Sequence, residues 1–283
     1  MAEVHHSVVT GTGKYKIVEL YYLRHIAWDL KVALKSKALN RSYEETLDYI
    51  DMKAEELVGR RDLLVKVLSA RDINEAVSLL SGTEFSADVE KALSSFSSKK
   101  EVRFFDVFID HAVLSAISKE YSTNYKLYAS SRATDVAGVG DIVANDIDAY
   151  NVLSVLRSKL WRLPELEARS LLILPTYRIT SAVLEKMVSA ESVSEAVKLA
   201  GRIYTTSSQT RGDEERAIDE VEDGFTADMR STAEKAFVWQ GLGPGTALAL
   251  VRLLEFEVSD LAAIAIGVEA KIDPRKILAK LRI

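Results

Sequence analysis

The chain contains no cysteine, only four histidines and only four prolines in 283 residues. Without cysteine there are no disulfides, no thiolate metal site and no thiol nucleophile. No run of about 18 uninterrupted apolar residues occurs, so no segment is expected to span a bilayer. The leading MAEVHHSVVTGTGKYK lacks the hydrophobic core of an export signal, so export is not expected. Charge of one sign is also in short supply: the net charge is -5, too small to draw the chain as a whole toward nucleic acid or anionic lipid.

The scarcity of histidine narrows the chemistry further. A nucleophile–base pair would have to come from His25 or His111, each read more simply as a packed or surface side chain. A di-iron site in a helical bundle needs two Glu-x-x-His motifs. Only Glu3/His6 matches, because three residues before His25 and His111 stand Tyr22 and Phe108. GTGK at 11–14 lacks the glycine spacing of a phosphate loop and is followed by Tyr15 rather than Ser or Thr. GLGPG at 241–245 lacks a preceding strand and the G-x-G-x-x-G spacing, so it reads as an interhelical loop. No catalytic residue, metal ligand or cofactor is therefore assigned.

What remains is helix-forming sequence. Abundant Leu, Ala, Glu, Lys and Ser, with 8% aromatic residues, favours helix over sheet. Residues 1–14 read as a loose or strand-like lead broken by Gly11 and Gly13. A helix is expected over 15–39, followed by a restart at Ser42-Tyr43-Glu44-Glu45, a capping box. Shorter helices are expected at 54–68, 72–81 and 86–95, then a turn at Ser94–Ser98 and Lys99-Lys100. A strongly apolar helix over 102–121 leads to a linker over 122–140. Later helices are expected at 180–189, 193–201, 226–240, 245–266 and 274–281. The polar segment 205–212 reads as a loop, and the acidic DEERAIDEVED (213–223) as an exposed helix with a solvated face.

The organising stretch is DIVANDIDAYNVLSVLRSKLWRLPELEARSLL (141–172). Val143, Ile147, Tyr150, Leu153, Leu156 and Leu160 recur in steps of three and four, which gives one apolar helix face. A polar seam of Asn145, Asp148 and Asn151 runs beside it, and Pro164 suits the first turn of a second helix. The stretch recurs. Arg157-Ser158-Lys159 aligns with Lys35-Ser36-Lys37, which brings Tyr150-Asn151 onto Trp28-Asp29. SARDINEAVSLL (69–80) likewise aligns with SAESVSEAVKLA (189–200). A third, shorter copy begins near Leu250, with Glu255, Glu257 and Asp260 over Asp146, Asp148 and Asn151; Gly267 ends it, and Asp273-Pro274 opens the next helix. The expected fold is all-α: three pseudo-repeated helical units at 1–137, 138–238 and 239–283, the last partial.

NDIDAYNVLSVLRSKLWRLPELE and the C-terminal LEFEVSDLAAIAIGVEAKIDPRKILAKL resemble the C subunits of archaeal and bacterial A/V-type ATP synthases, which are related to the d subunit of the eukaryotic V-type ATPase. The family pattern of an acidic residue, Asn-Leu or Asn-Ile, then Arg-x-Lys is matched by Asp148, Asn151-Val152 and Arg157-Ser158-Lys159. Its terminal Glu-x-Glu is matched by Glu255 and Glu257, and the Asn-Leu that follows by Asp260-Leu261. RFFDVFIDHAVLSAISKEY (103–121) is similar to the helix before the family's middle copy. The likeness covers residues 15–283. Ile266 and Val268 replace Arg157 and Lys159 in the third copy, so the basic triplet is not threefold. The family's additional N-terminal half-repeat, which closes the funnel, has no match in this sequence, which is expected to begin after it.

The resemblance implies a funnel-like, non-catalytic rotor subunit on the cytoplasmic side of the membrane. Its partners would be central-stalk subunits and the membrane-embedded ring, coupling ATP synthesis or hydrolysis to proton or sodium transport, with no nucleic acid. Asp148, Asn151, Glu255, Glu257 and Asp260 are read as residues that dock one copy on another, since half-buried polar groups must be satisfied. Lys35, Lys37, Arg157 and Lys159 end helices, where the macrodipole favours cations, and are candidate partner contacts. A soluble helical-repeat adaptor binding other proteins is the alternative.

Overall fold

The middle of the chain folds as one long helix, and the rest is arranged along it. The computed structural model describes residues 1–13, 15–128, 138–201, 214–239 and 243–281, and among them there is no strand. The architecture is all-α. The helices are α1 (Ala2–Gly11), α2 (Lys16–Ala38), α3 (Tyr43–Leu47), α4 (Met52–Leu57), α5 (Arg61–Ser69), α6 (Ile73–Ser78), α7 (Ser86–Lys99) and α8 (Arg103–Thr123). They continue as α9 (Tyr125–Tyr128), α10 (Val139–Leu160), α11 (Glu165–Ser170), α12 (Ser181–Ser189), α13 (Val193–Ala200), α14 (Glu214–Trp239), α15 (Pro244–Glu269) and α16 (Pro274–Lys280).

Helix α10 has 15 of its 22 residues buried, too many for one apolar face. The seam that the periodicity sets beside that face is inside as well: Asn145, Asp148 and Asn151 are all within 1% of full burial. Two cores explain this. The first half of α10, through Val139, Ile142, Val143 and Ile147, joins the core built on α2, α5, α7 and α8. The second half, through Val152, Val155 and Leu156, joins a separate core with α12, α13 and the Ile218–Val221–Phe225 face of α14.

Helices α2, α10 and α15 stop in the same way. Asn40, Arg162 and Lys271 take left-handed φ values of 55°, 53° and 55°. The next residue in each case donates its N–H back five positions: Arg41 to Ser36, Leu163 to Ser158 and Ile272 to Gly267, each at 2.9 Å. This is a Schellman stop. At Gly267 a Cβ would come within 2.6 Å of Ile277 on α16, which accounts for glycine where the other two stops have serine. The aligned segments 69–80 and 189–200 also share their turn. Asp72 and Ser192 cap α6 and α13 by accepting the N–H of Glu75 and Glu195. Those glutamates reach back to the N–H of Arg71 and Glu191 at 2.7 and 2.9 Å.

Side chains from the aligned helices perform one further shared task. Asp29 Oδ1 accepts the N–H of Asp51 at 3.0 Å, and Asn151 Oδ1 accepts that of Ile173 at 2.8 Å. Asn151 also donates to the Ile173 carbonyl, so its amide is spent on the backbone of one residue. Asp148, fully buried, accepts three successive N–H groups, from Tyr177, Arg178 and Ile179, at 3.3, 2.7 and 3.2 Å. Burial pushes its pKa up, against the pull of those three donors.

Several expectations are corrected. Residues 2–11 are helical rather than a loose or strand-like lead. His5 is buried against α2, with Nε2 at 3.3 Å from the Val18 carbonyl and Nδ1 at 3.2 Å from His25 Nε2, and this docking outweighs the nearby glycines. Ser94–Ser98 continue α7, and the chain turns only at Lys100, in the left-handed region. The 54–68 helix is two helices broken at Gly59, whose φ is 70°. The acidic run from 214 onward and the 226–240 helix are one helix, α14, with Ile218 and Val221 buried. Pro164 is the N-cap of α11 rather than its first helical residue. The 122–140 linker is helical where it is described, at the end of α8, in α9 and at the start of α10, because Tyr121 and Tyr128 are buried there. The 205–212 loop, residues 129–137 of that linker, Lys14 of GTGK and residues 241–242 of GLGPG lie outside the described residues.

These contacts generate two predictions. Asp148→Ala leaves three buried donors unmet and should cost about 3 kcal/mol or more of unfolding free energy, whereas Asp148→Asn, which keeps one acceptor, should cost much less; urea titration distinguishes them. The second concerns Asp29 Oδ2 and Glu55 Oε1, which are buried without a hydrogen-bond partner. Burial, reinforced by Asp29, pushes Glu55 up to about 8, and burial, opposed by the Asp51 N–H that it accepts, pushes Asp29 up to about 6. The folded chain thus keeps protons that the unfolded chain releases near about pH 4. Their contribution is fully present below that pH and is lost as pH rises toward about 8. Glu55→Gln should flatten this decline, measured as unfolding free energy between about pH 5 and 9.

Candidate functional site: a charged hub at the floor of a helical bowl

The alignment that sets Lys35-Ser36-Lys37 on Arg157-Ser158-Lys159 also sets Arg24 on Asp146, and the third register sets Asp146 on Glu255. These three positions, on α2, α10 and α15, meet in space. Arg24 Nη1 lies 3.8 Å from Asp146 Oδ1, and its Nε lies 3.5 Å from Glu255 Oε1. Arg252, one turn before Glu255 on α15, donates to Asp146 Oδ1 at 2.9 Å and also to Glu255. Tyr21, fully buried on α2, donates its hydroxyl to Asp146 Oδ2 at 2.8 Å. Two arginines and two carboxylates thus cancel.

The electrostatics follow from burial and pairing. Burial alone would raise the Glu255 pKa, but the charges of Arg252 and Arg24 outweigh it and hold it low. Burial alone would likewise discharge Arg24, but Glu255 and Asp146 keep it firmly protonated. Burial, then the Asp146 charge, puts the Tyr21 hydroxyl beyond ionisation at any working pH. Beside the hub, burial and the neighbouring His25 lower His5 to about 4, and burial lowers His25 too.

Above the hub opens a cavity of about 820 Å³, bounded by α2, α8, α10, α14 and α15. The hub residues Arg24, Asp146, Arg252 and Glu255 line it. Its wall also holds Lys31 paired with Asp110 at 2.5 Å and Arg157 paired with Glu222 at 2.6 Å. Trp28 lies in the same wall, 63% exposed. Among the described residues the cavity holds no nucleophile–base pair, and no group of three or more His, Asp or Glu is placed to hold a metal ion.

The residues singled out from sequence divide into three groups. Asp148 and Asn151 bind backbone within 171–179, inside their own segment. Glu255 joins the hub and so touches α2, while Asp260 pairs with Arg230 of α14 at 2.7 Å. Glu257 is exposed on α15. Of the basic residues, Arg157 lines the cavity, Lys35 pairs with Asp106 of α8 at 2.7 Å, and Lys159 donates to the Val188 carbonyl. Lys37 is half-buried at the end of α2. Arg24, Arg252, Tyr21 and Trp28 are not singled out by sequence reasoning. The usable signal is the alternation of Arg, Asp and Glu at one repeat register, where opposite charges imply contact.

The family model for the ATP synthase (C/AC39) subunit matches residues 3–280. The C subunit of the A-type ATP synthase of Pyrococcus horikoshii is 29% identical over 224 residues, covering 77% of this chain and 57% of that protein. The C subunit of the A-type ATP synthase of Methanocaldococcus jannaschii is 29% identical over 145 residues, covering 51% of this chain and 34% of that protein. The chain thus spans about half the length, or less, of these curated relatives. With a match that runs nearly end to end, the chain belongs to the ATP synthase (C/AC39) subunit family.

Proposed function

We propose that this chain is a non-catalytic rotor subunit that connects the central stalk to the membrane-embedded ring of an A/V-type ATP synthase. In that role it links ATP synthesis or hydrolysis to proton or sodium ion transport from the cytoplasmic face of the membrane, as a peripheral protein. No helix among the described residues is long and apolar enough to cross a membrane. The observation that carries the reading is the bowl: helices from distant parts of the chain bound it, and three of them, α2, α10 and α15, lock to one another through compensated charges at its floor. A coupling element must transmit torque without deforming, and a hub that ties α2, α10 and α15 together supplies that stiffness. The segments 1–137, 138–238 and 239–283 are read as three related units around the bowl, supported by their identical helix stops. Glu255 and Asp260 are then the inter-unit contacts, and Arg157 and Lys37 the basic residues best placed for a partner.

The test is a pull-down of the tagged chain from detergent-solubilised native membranes, with partners identified by mass. Stalk and ring subunits should be recovered in fixed stoichiometry, and the isolated chain should show no ATP hydrolysis. Recovery of soluble proteins alone, or intrinsic ATPase activity that survives rigorous purification, would contradict the reading.

A further inference from the structure

The second half of α15 leaves the body of the molecule and carries an apolar stripe to solvent. The helix is buried up to Arg252, but every residue from 257 to 266 except Asp260 is exposed. Val258, Leu261, Ala265 and Val268 recur in steps of three, four and three, the spacing of a coiled-coil seam. Val258, Leu261 and Val268 are 51%, 59% and 65% exposed, and Ile272, just past the helix stop, extends the stripe. The chain's own contacts lie on the other side of the helix. Asp260 pairs with Arg230 of α14, and Gly267, seven residues on, lies under Ile277 of α16. That side is about 130° round from the stripe. Of the stripe residues only Val258 borders the bowl. A monomer rarely leaves a continuous apolar patch open.

The residues along the stripe are complementary to themselves when two copies of the helix run antiparallel. Val258 then packs on the partner's Val268, and Leu261 on the partner's Ala265, large against small. Ala262 and Ile264 flank the twofold axis, each beside its own counterpart. Glu257 and Lys271 are both exposed, and each end of the pair sets one against the other. Two opposite-charge contacts thus close the seam by symmetry, as in an isologous interface. A parallel pair in register has no such match. It sets Glu257 beside the partner's Ala262 and Glu269 beside the partner's Ile264, and it forces the two bodies together at the N-terminal end of α15. An antiparallel pair sends the bodies to opposite ends.

We propose that the free chain forms a twofold dimer through an antiparallel pair of α15 helices, packed by Val258, Leu261, Ala265 and Val268 and oriented by Glu257 and Lys271. This goes beyond the rotor reading and does not rest on it, since it concerns the chain outside any larger complex. The seam is only about three helical turns long. The dimer is therefore weak and reversible, with a dissociation constant on the order of micromolar, because the area buried is below that of a standard stable interface.

The experiment is analytical ultracentrifugation of the purified full chain between about 1 and about 100 μM, the range in which so small an interface dissociates. Wild type should pass from monomer to dimer and form nothing larger. Leu261→Asp should stay monomeric throughout, with the circular dichroism of wild type because residue 261 is exposed. Glu257→Lys sets like charges together at both ends and should weaken the dimer by about tenfold, and adding Lys271→Glu should restore it. The absence of native cysteine allows orientation to be read directly. Ala262→Cys should be bridged between two chains by a short bifunctional thiol reagent, and Val258→Cys should not. A wild type that is monomeric over the whole range leaves the stripe to some other protein and overturns the proposal. So do larger assemblies, a dimer indifferent to Leu261→Asp, a charge swap that fails to restore it, or bridging at 258 in place of 262.

Discussion

Asp146 is the point on which the structure turns. It is buried, it accepts from Tyr21 and Arg252, and it lies within reach of Arg24, so α2 and α15 are both tied to the middle of α10 through one carboxylate. A buried charge is tolerated only when its hydrogen-bonding capacity is met and its field is cancelled. Both conditions hold here, and both require three helices that are far apart in sequence to arrive in one register. Replacing the whole hub by well-packed apolar side chains need not weaken the fold, but removing one member leaves another charge uncompensated in a poorly solvated place. The hub therefore specifies how the helices dock more than it adds to net stability.

Around that point, α10 acts as a shared spine. Its two halves belong to different cores, so a displacement at one end is carried through a continuous helix to the other. Asp148 and Asn151 brace the spine by collecting backbone groups of the 171–179 segment, and Asp29 performs the corresponding task on α2. The amide in one copy and the carboxylate in the other have different consequences. Asn151 satisfies both an N–H and a carbonyl and is indifferent to pH. Asp29 accepts one N–H and leaves an oxygen buried without a partner, and burial raises its pKa. The same backbone task carries a titration in one place and none in the other.

Much of this is legible in the sequence because it is local. The capping box at Ser42 and Glu45 forms as its spacing requires. Helices α2, α3, α6, α8, α10, α12, α13, α15 and α16 fall close to where periodicity and stop signals place them, and the alignment of 69–80 with 189–200 is mirrored in their cap hydrogen bonds. What is not legible depends on contacts across the chain. Helix α1 is hidden because its glycines are a local signal, whereas His5 is held by Val18 and His25. The seam of Asn145, Asp148 and Asn151 reads as a flank because polarity is a poor guide to burial when the partners come from later in the chain, backbone groups of a loop for Asp148 and Asn151 and the Asp228 carboxylate of α14 for Asn145. Arg24 is inconspicuous because its meaning appears only when it is set on Asp146 and Glu255.

The most direct test of the account is the coupling between Asp146 and Arg252, measured by urea unfolding of Asp146→Asn, Arg252→Met and the double variant. If the hub is a compensated charge cluster, each single change should cost about 3 kcal/mol or more, and the double variant should cost clearly less than their sum, by about 1–3 kcal/mol. Single changes within about 0.5 kcal/mol of wild type, or strict additivity, would mean that Asp146 is a spectator and that apolar packing alone holds the three helices together.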